Sequence, residues 1–341
     1  VTSLADAAHA LANGYLVVFP TETVYGLGAD GLSTSAVAGI FRVKGRPADH
    51  PVILHVATLE AAKSLTAGWS ASAQQLAQAF WPGPLTLILK RAPHIPDAVT
   101  GGQETVGIRI PAHPVALALL NEFSRVGSGV IAAPSANRFG AVSPTRVRDV
   151  ERDLGERLGP NDHILDGGHC AVGVESTIVD LTGVRPRILR PGGIDRDRLV
   201  KVMALEPQAG VSSPTITRPA PRVSGALQSH YAPNAKVVLL NPEEFDLGLQ
   251  QLRTDHSVTS IGCLLIAPRK TNQRDPGTTF ITMPSDAQRY AHELYARLHD
   301  LDQSGCQVIL VERPPGSAAW EAIQDRLKRA AAERPSTHNP Q

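Results

Sequence analysis

The chain has 341 residues, 42% hydrophobic and 19% charged, which excludes disordered, collagen-like and coiled-coil proteins and allows roughly two domains of about 150 residues each. Its 33 basic and 32 acidic side chains give a net charge of +1, with both sides of Pro207 close to neutral, so no global field draws the chain to nucleic acid. Aromatics are only 4%, which leaves the core to Ala, Val, Leu and Ile; Cys170, Cys263 and Cys306 are too few and too scattered for a disulfide framework or a zinc site and read as buried thiols.

Apolar spacing of three and four over 4–14 predicts a helix, and the short apolar run Tyr15–Phe19, stopped by Pro20, predicts a strand. The alternation continues to about Leu205. Strands are expected at Val52–Val56, Leu85–Leu89, Gly107–Ile110, Val130–Ala133 and Thr177–Asp180, and helices at 34–43, 70–79, 114–123 and 145–158. From Pro207 to Pro242 prolines alternate with Ser and Thr, and no acidic residue occurs before Glu243, which predicts a linker over 207–234. A second unit follows over 235–333. Its strands are expected at Val237–Leu240, Ile261–Ala267, Thr278–Met283 and Val308–Val311, with helices near 243–252, 285–302 and 317–332: a small open α/β sheet of the Rossmann-like kind with crossover helices. The tail 334–341 is polar. No apolar run approaches the roughly 20 residues of a bilayer crossing, so no membrane role is expected and a cytoplasmic address follows.

Gly26-Leu-Gly28-Ala-Asp-Gly31 matches the dinucleotide fingerprint, but Pro20 and the polar Thr21–Thr23 separate it from the preceding strand, and that reading is set aside. Thr21-Glu22-Thr23 lies between a strand and an expected glycine-permissive turn, where its hydroxyls and carboxylate either face a cleft or make ordinary turn bonds. Arg42, Lys44 and Arg46 end a helix beside Gly45 and Pro47, as a solvated helix terminus or a rigid phosphate clamp. Arg109 sits inside an apolar strand, either covering a sheet edge with its stem or binding a carboxylate. Ser135 and Asn137 follow a strand directly, at the end where open sheets place ligands.

In this order and at these separations the segments resemble the threonylcarbamoyl-AMP synthase family. The motifs are PTETVYGLG at 20–28, KGRP at 44–47, GIRIP at 107–111, APSAN at 133–137, EST at 175–177, LRPGG at 189–193 and HYAP at 230–233. The resemblance implies a YrdC-like twisted mixed sheet with helices over 1–206, and it makes the second unit the extra domain of the long members. It also implies a nucleotidyltransferase that makes L-threonylcarbamoyl-AMP and pyrophosphate from L-threonine, bicarbonate and ATP with Mg²⁺. That product feeds threonylcarbamoyladenosine modification of tRNA beside the anticodon, with tRNA and downstream threonylcarbamoyl-transferase proteins as partners.

By the same resemblance Thr23, His55, Arg109, Ala133 and Ser176 surround threonine, Arg109 pairing two-armed with its carboxylate. Lys44, Arg46, His50, Thr105, Ser135, Asn137, Ser143, Arg190 and Tyr231 surround ATP, with Lys44 and Arg46 as the catalytic cations and the linker as a lid. His50 departs from the family's usual Asn. Two other readings stay open. One is an RNA-binding module of the same fold without turnover, which the neutral charge disfavours. The other is a hydrogenase-maturation carbamoyl-transfer domain, whose cysteine-rich segments this chain lacks.

Overall fold

The computed structural model describes residues 2–204, 220–225, 229–268 and 277–333. Most of the expected linker, including Pro207, Pro214 and Pro219, and the tail 334–341 lie outside the described residues. The chain divides into two compact units, 1–139 with 144–226 and 140–143 with 227–341.

The first unit runs α1 (Leu4–Ala12), β1 (Val17–Phe19), β2 (Gly26–Asp30), α2 (Thr34–Lys44), β3 (Ile53–His55), α3 (Leu59–Ser64), α4 (Ala71–Phe80), β4 (Leu85–Lys90), α5 (Asp97–Thr100), β5 (Thr105–Arg109), α6 (Pro114–Val126), β6 (Ile131–Ala132), α7 (Val147–Leu154), β7 (His163–Ile164), β8 (Thr177–Asp180), β9 (Arg187–Arg190) and α8 (Arg196–Val200). Side-chain caps set several of the helix starts. Ser3 and Asp6 form a reciprocal capping box on α1, Ser33 caps α2 and Ser70 caps α4. Gly45, at φ 64°, ends α2 in the left-handed conformation that costs a glycine least.

Among the described residues nine strands form one mixed sheet in the order β7-β1-β2-β6-β3-β5-β4-β8-β9. β3 runs parallel to β5 and β4 to β8, while β6 is antiparallel to both β2 and β3. Alternation along a strand sends neighbouring residues to opposite faces. Val17 and Phe19 pack with Ala7, Leu11, Leu119 and Phe123 of α1 and α6, and Val18 packs on the other face with Val37 and Ile40 of α2.

Two expectations for the elements of this unit need correction. Gly26–Gly28 is not in a turn: it opens strand β2, paired with β1 from Phe19↔Gly26 to Val17↔Gly28. Its glycines answer to close packing, since a Cβ on Gly28 would lie 2.8 Å from Ile131 Cγ2 and 2.9 Å from the Phe19 ring. The helix expected over 145–158 stops at Leu154 and continues as a 3₁₀ turn over Gly155–Arg157.

The second unit runs β10 (Lys236–Leu240), α9 (Phe245–Thr254), β11 (Ile261–Leu265), β12 (Thr278–Thr282), α10 (Ala287–Gln303), β13 (Val308–Glu312) and α11 (Glu321–Ala331). Its four strands among the described residues are all parallel, in the order β10-β13-β11-β12. The central strands β11 and β13 are buried along their whole length, which is why they read as unbroken apolar runs. Residues 140–143, expected within the first domain, belong here, where the Ala232 N–H donates to the Gly140 carbonyl at 3.0 Å. All three cysteines are buried free thiols. Among the described residues no helix is long and apolar enough to cross a membrane.

Candidate active site

Arg109 ends β5 and is 3% exposed. The parallel register sets it beside His55 at the end of β3. Its Nη1 donates to Thr23 Oγ1 at 2.9 Å and its Nε to the Gly83 carbonyl at 3.2 Å, while its Nη2 pairs with Glu22 Oε1 at 2.7 Å. The sheet-edge reading of Arg109 therefore fails: its head group is buried and engaged on three sides. The hydroxyls of Thr21 and Thr23 lie 2.8 Å apart, and Thr21 also donates to the Val24 carbonyl at 2.6 Å, so the Thr-Glu-Thr turn is held rigidly by its own side chains.

His55 is 4% exposed, its ring nearly perpendicular to that of Phe19 with the ring centres 6.1 Å apart. Burial, and then the positive charge of Arg109, push its pKa down to about 3, so the imidazole is neutral at physiological pH. Ala133 is tied to this strand through its N–H on the Ile53 carbonyl at 2.9 Å. Ser176 stands at the other side of β4, its hydroxyl 2.8 Å from that of Thr86.

The cations expected at ATP are not solvated. Lys44 is 3% exposed, and its ammonium donates to the carbonyls of Ser135, at 2.6 Å, and Asn137. Burial, and then the neighbouring Arg46, hold its pKa well below the usual lysine range. Arg46 donates to the Pro51 carbonyl at 2.8 Å and to Ser224 Oγ at 3.3 Å, and its guanidinium lies 5.8 Å from the Phe139 ring centre. His50 meets the same ring edge-on at 5.3 Å, with its pKa lowered by burial and then by Arg46. Thr105 begins β5 beside a small pocket lined by Ile53, Gly107, Ile178, Val223 and Ser224. The Asn137 amide donates to the Arg138 carbonyl at 2.8 Å. Arg190, at the end of β9, donates through Nη2 to the Ser176 carbonyl and hydroxyl at 2.8 and 3.2 Å, and through Nη1 to the Ser224 carbonyl at 2.9 Å.

Two residues of the expected ATP set fall in the second unit, Ser143 and Tyr231, both buried there. Tyr231 adopts a left-handed φ of 60°, stacks on Tyr295 at 5.8 Å and lies 5.0 Å from the Arg326 guanidinium.

Two contributors were not in the set read from sequence. Glu22 accepts from the Ala112 N–H at 3.0 Å besides pairing with Arg109, and its only sequence signal is the carboxylate inside the Thr-Glu-Thr turn. Ser224 lies in the expected linker, where composition gave no reason to single it out. Its strap is fastened to the first unit by a reciprocal pair, Arg222 N–H to Gln103 Oε1 at 2.7 Å and Gln103 Nε2 to the Arg222 carbonyl at 3.1 Å.

A family model described as "Telomere recombination" matches residues 9–192, and one described as "Threonylcarbamoyl-AMP synthase, C-terminal domain" matches 194–332. A threonylcarbamoyl-AMP synthase of Pyrococcus abyssi is 37% identical over 336 residues, covering 96% of this chain and 94% of its own. One from Bacillus subtilis is 37% identical over 97% of this chain and 93% of its own. The crystal structure of P. abyssi Sua5 complexed with L-threonine superposes with a TM-score of 0.83 at 35% identity, covering 96% of this chain and 94% of that one.

Proposed function

From the premise that the chain belongs to the threonylcarbamoyl-AMP synthase family, we propose that it is a nucleotidyltransferase making L-threonylcarbamoyl-AMP and pyrophosphate from L-threonine, bicarbonate and ATP. The observation that carries this reading is the contact between Ser176 and Arg190 at 2.8 Å. One residue comes from the set assigned to threonine and the other from the set assigned to ATP, so the two sets share a wall.

In this reading the threonine carboxylate binds Arg109 beside Thr23. Because Nη2 is already paired with Glu22, the substrate shares the guanidinium instead of taking both arms of a free fork. Neutral His55 adds no competing charge. After its ammonium gives up a proton, the neutral amine adds to CO₂ with loss of a second proton, or to bicarbonate with loss of water, to give an N-carboxylate; its oxygen attacks the α-phosphorus of ATP, and the bond to the β-phosphate breaks as pyrophosphate leaves. Both partners are anions, so fixed positive charge and alignment do the catalytic work. Arg46 and Arg190 supply that charge directly, and Lys44 fixes the Ser135–Asn137 loop while adding its own proton donors. ATP enters as its Mg²⁺ complex, which commonly needs few protein ligands. The strap at 220–225 acts as the lid, limiting hydrolysis of the mixed anhydride. The product serves threonylcarbamoyladenosine formation in tRNA, in the cytoplasm, through a transferase that accepts the threonylcarbamoyl group.

The test is mass spectrometry of products after incubation with ATP, Mg²⁺, bicarbonate and each amino acid in turn. The expected result is an AMP adduct only when threonine and bicarbonate are both present. Equal turnover with serine, valine and threonine would refute the pocket assignment.

A further inference from the structure

Glu22 is the one acidic side chain in direct contact with Arg109 among the described residues, and the reaction as read above gives it no task. Resting on that reading of the pocket, we propose that Glu22 is a positioning residue: it orients Arg109 and supplies the negative charge that matches an α-ammonium, so the pocket selects a zwitterion over a simple carboxylate.

The geometry fixes both partners. Glu22 is 7% exposed and Arg109 3%. One carboxylate oxygen holds Nη2 at 2.7 Å and the other is anchored by the Ala112 N–H at 3.0 Å, so the carboxylate is tethered at both ends. Thr23, the next residue, takes Nη1 at 2.9 Å, so two successive side chains grip the same edge of the guanidinium. An ionised carboxylate has about four acceptor positions; the Ala112 N–H uses one, and Oε1 faces Nη2 as an ion pair without a hydrogen bond of its own.

The charges around the pair decide what the pocket accepts. His55, beside Arg109 on the neighbouring strand, is neutral. The Cys170 thiol is pushed up by burial and then by the charge of Glu22, and stays protonated. Thr21 and Thr23 carry none. Arg109 and Glu22 sum to zero as a pair; Arg190, at 3.2 Å from the Ser176 hydroxyl, is the charge assigned to ATP. A buried pair of zero net charge is disturbed by a bare anion, which leaves one charge uncompensated, and is matched by a zwitterion. If Arg109 acted alone, the same pocket would draw in any small carboxylate of the right shape. Selection for the amine matters to the chemistry, because the amine nitrogen is the atom that is carboxylated.

The test is calorimetric titration of the full chain with L-threonine and with 2,3-dihydroxybutyrate of matching configuration, which replaces the ammonium by a hydroxyl. The wild type is expected to bind threonine at least tenfold more tightly than the hydroxy acid. Glu22→Gln is expected to weaken threonine at least tenfold and to leave the hydroxy acid equal or tighter. Glu22→Asp, which keeps the charge, is expected to retain the preference. Equal wild-type affinity for the two ligands overturns the proposal, and this arm decides even where Glu22→Gln does not fold. A Glu22→Gln chain that weakens both ligands by the same factor also overturns it, since Glu22 is then only a prop for Arg109. A folded wild type that binds neither ligand refutes the threonine pocket itself, whereas threonine turnover without the preference refutes only the role of Glu22.

Discussion

His55 makes the stability of the first unit depend on acid in a way that can be worked out. Its pKa falls from an ordinary 6.5 to about 3 on folding, so between those values the unfolded chain binds a proton that the folded chain refuses. The sign follows directly. Its contribution is unchanged above pH 6.5, and stability drains away as pH falls from 6.5 toward 3. At about 1.36 kcal/mol per pH unit, the loss is about 2 kcal/mol at pH 5, against a ceiling of about 5 kcal/mol for the whole shift. His55→Gln keeps a polar side chain of similar reach and removes the titration. Urea unfolding of both proteins at pH 7.5 and pH 5 is the assay. The wild type is expected to lose about 2 kcal/mol more than the variant between the two pH values. Equal losses would mean that the imidazole is protonated inside the fold, and the neutral pocket described above would be wrong.

Lys44→Met keeps the stem of the side chain but strips two buried carbonyls of their donor. It is expected to cost about 3 kcal/mol and to lower Tm by roughly 6–12 °C, with loss of adenylation, as read by calorimetry and a pyrophosphate-release assay. Gln103→Ala breaks both bonds that fasten the strap, and a loss of about 1 kcal/mol corresponds to a KM for ATP about fivefold higher, with more hydrolysis of the intermediate; unchanged values of both would leave the strap a passive tether. Gly28→Ala forces a Cβ against Ile131 and Phe19 and is expected to destabilise the chain by about 1–3 kcal/mol in urea titrations, with no effect on either KM at temperatures where the variant is folded.

Much of this was legible before any coordinates, for reasons that can be named. The strands at Leu85–Lys90 and Thr177–Asp180 announce themselves because a buried strand is a short apolar run with polar punctuation. Arg109 was readable as a site candidate because a cation stood out inside an apolar strand, whereas Thr23 was singled out within its polar Thr-Glu-Thr turn only by the family resemblance. The strand at Gly26–Asp30 was not legible: its glycines carry no β signal, and their smallness is imposed by Phe19 and Ile131 from neighbouring strands. The burial of Lys44 was equally hidden, because the carbonyls that satisfy it lie 91 and 93 residues away in the chain. Tyr231 gave no sign of its left-handed backbone, which non-glycine residues rarely adopt, nor of its ring's place against Tyr295 and near the Arg326 guanidinium.

The strand order of the second unit governs when it can form. β13, the last strand made, sits between β10 and β11, so the first strand has no ladder partner until the chain has grown from Leu240 to Glu312. At about 5–20 residues per second, those 72 residues occupy a ribosome for roughly 4–14 s. Through that interval β10 presents an unpaired strand edge, joined by the free edge of the β11–β12 pair once the chain has passed Thr282; such edges invite pairing with a foreign chain. A nascent copy of this protein is therefore most exposed to misassembly just before its final strand arrives, and the apolar run Val308–Val311 is the piece that closes the sheet.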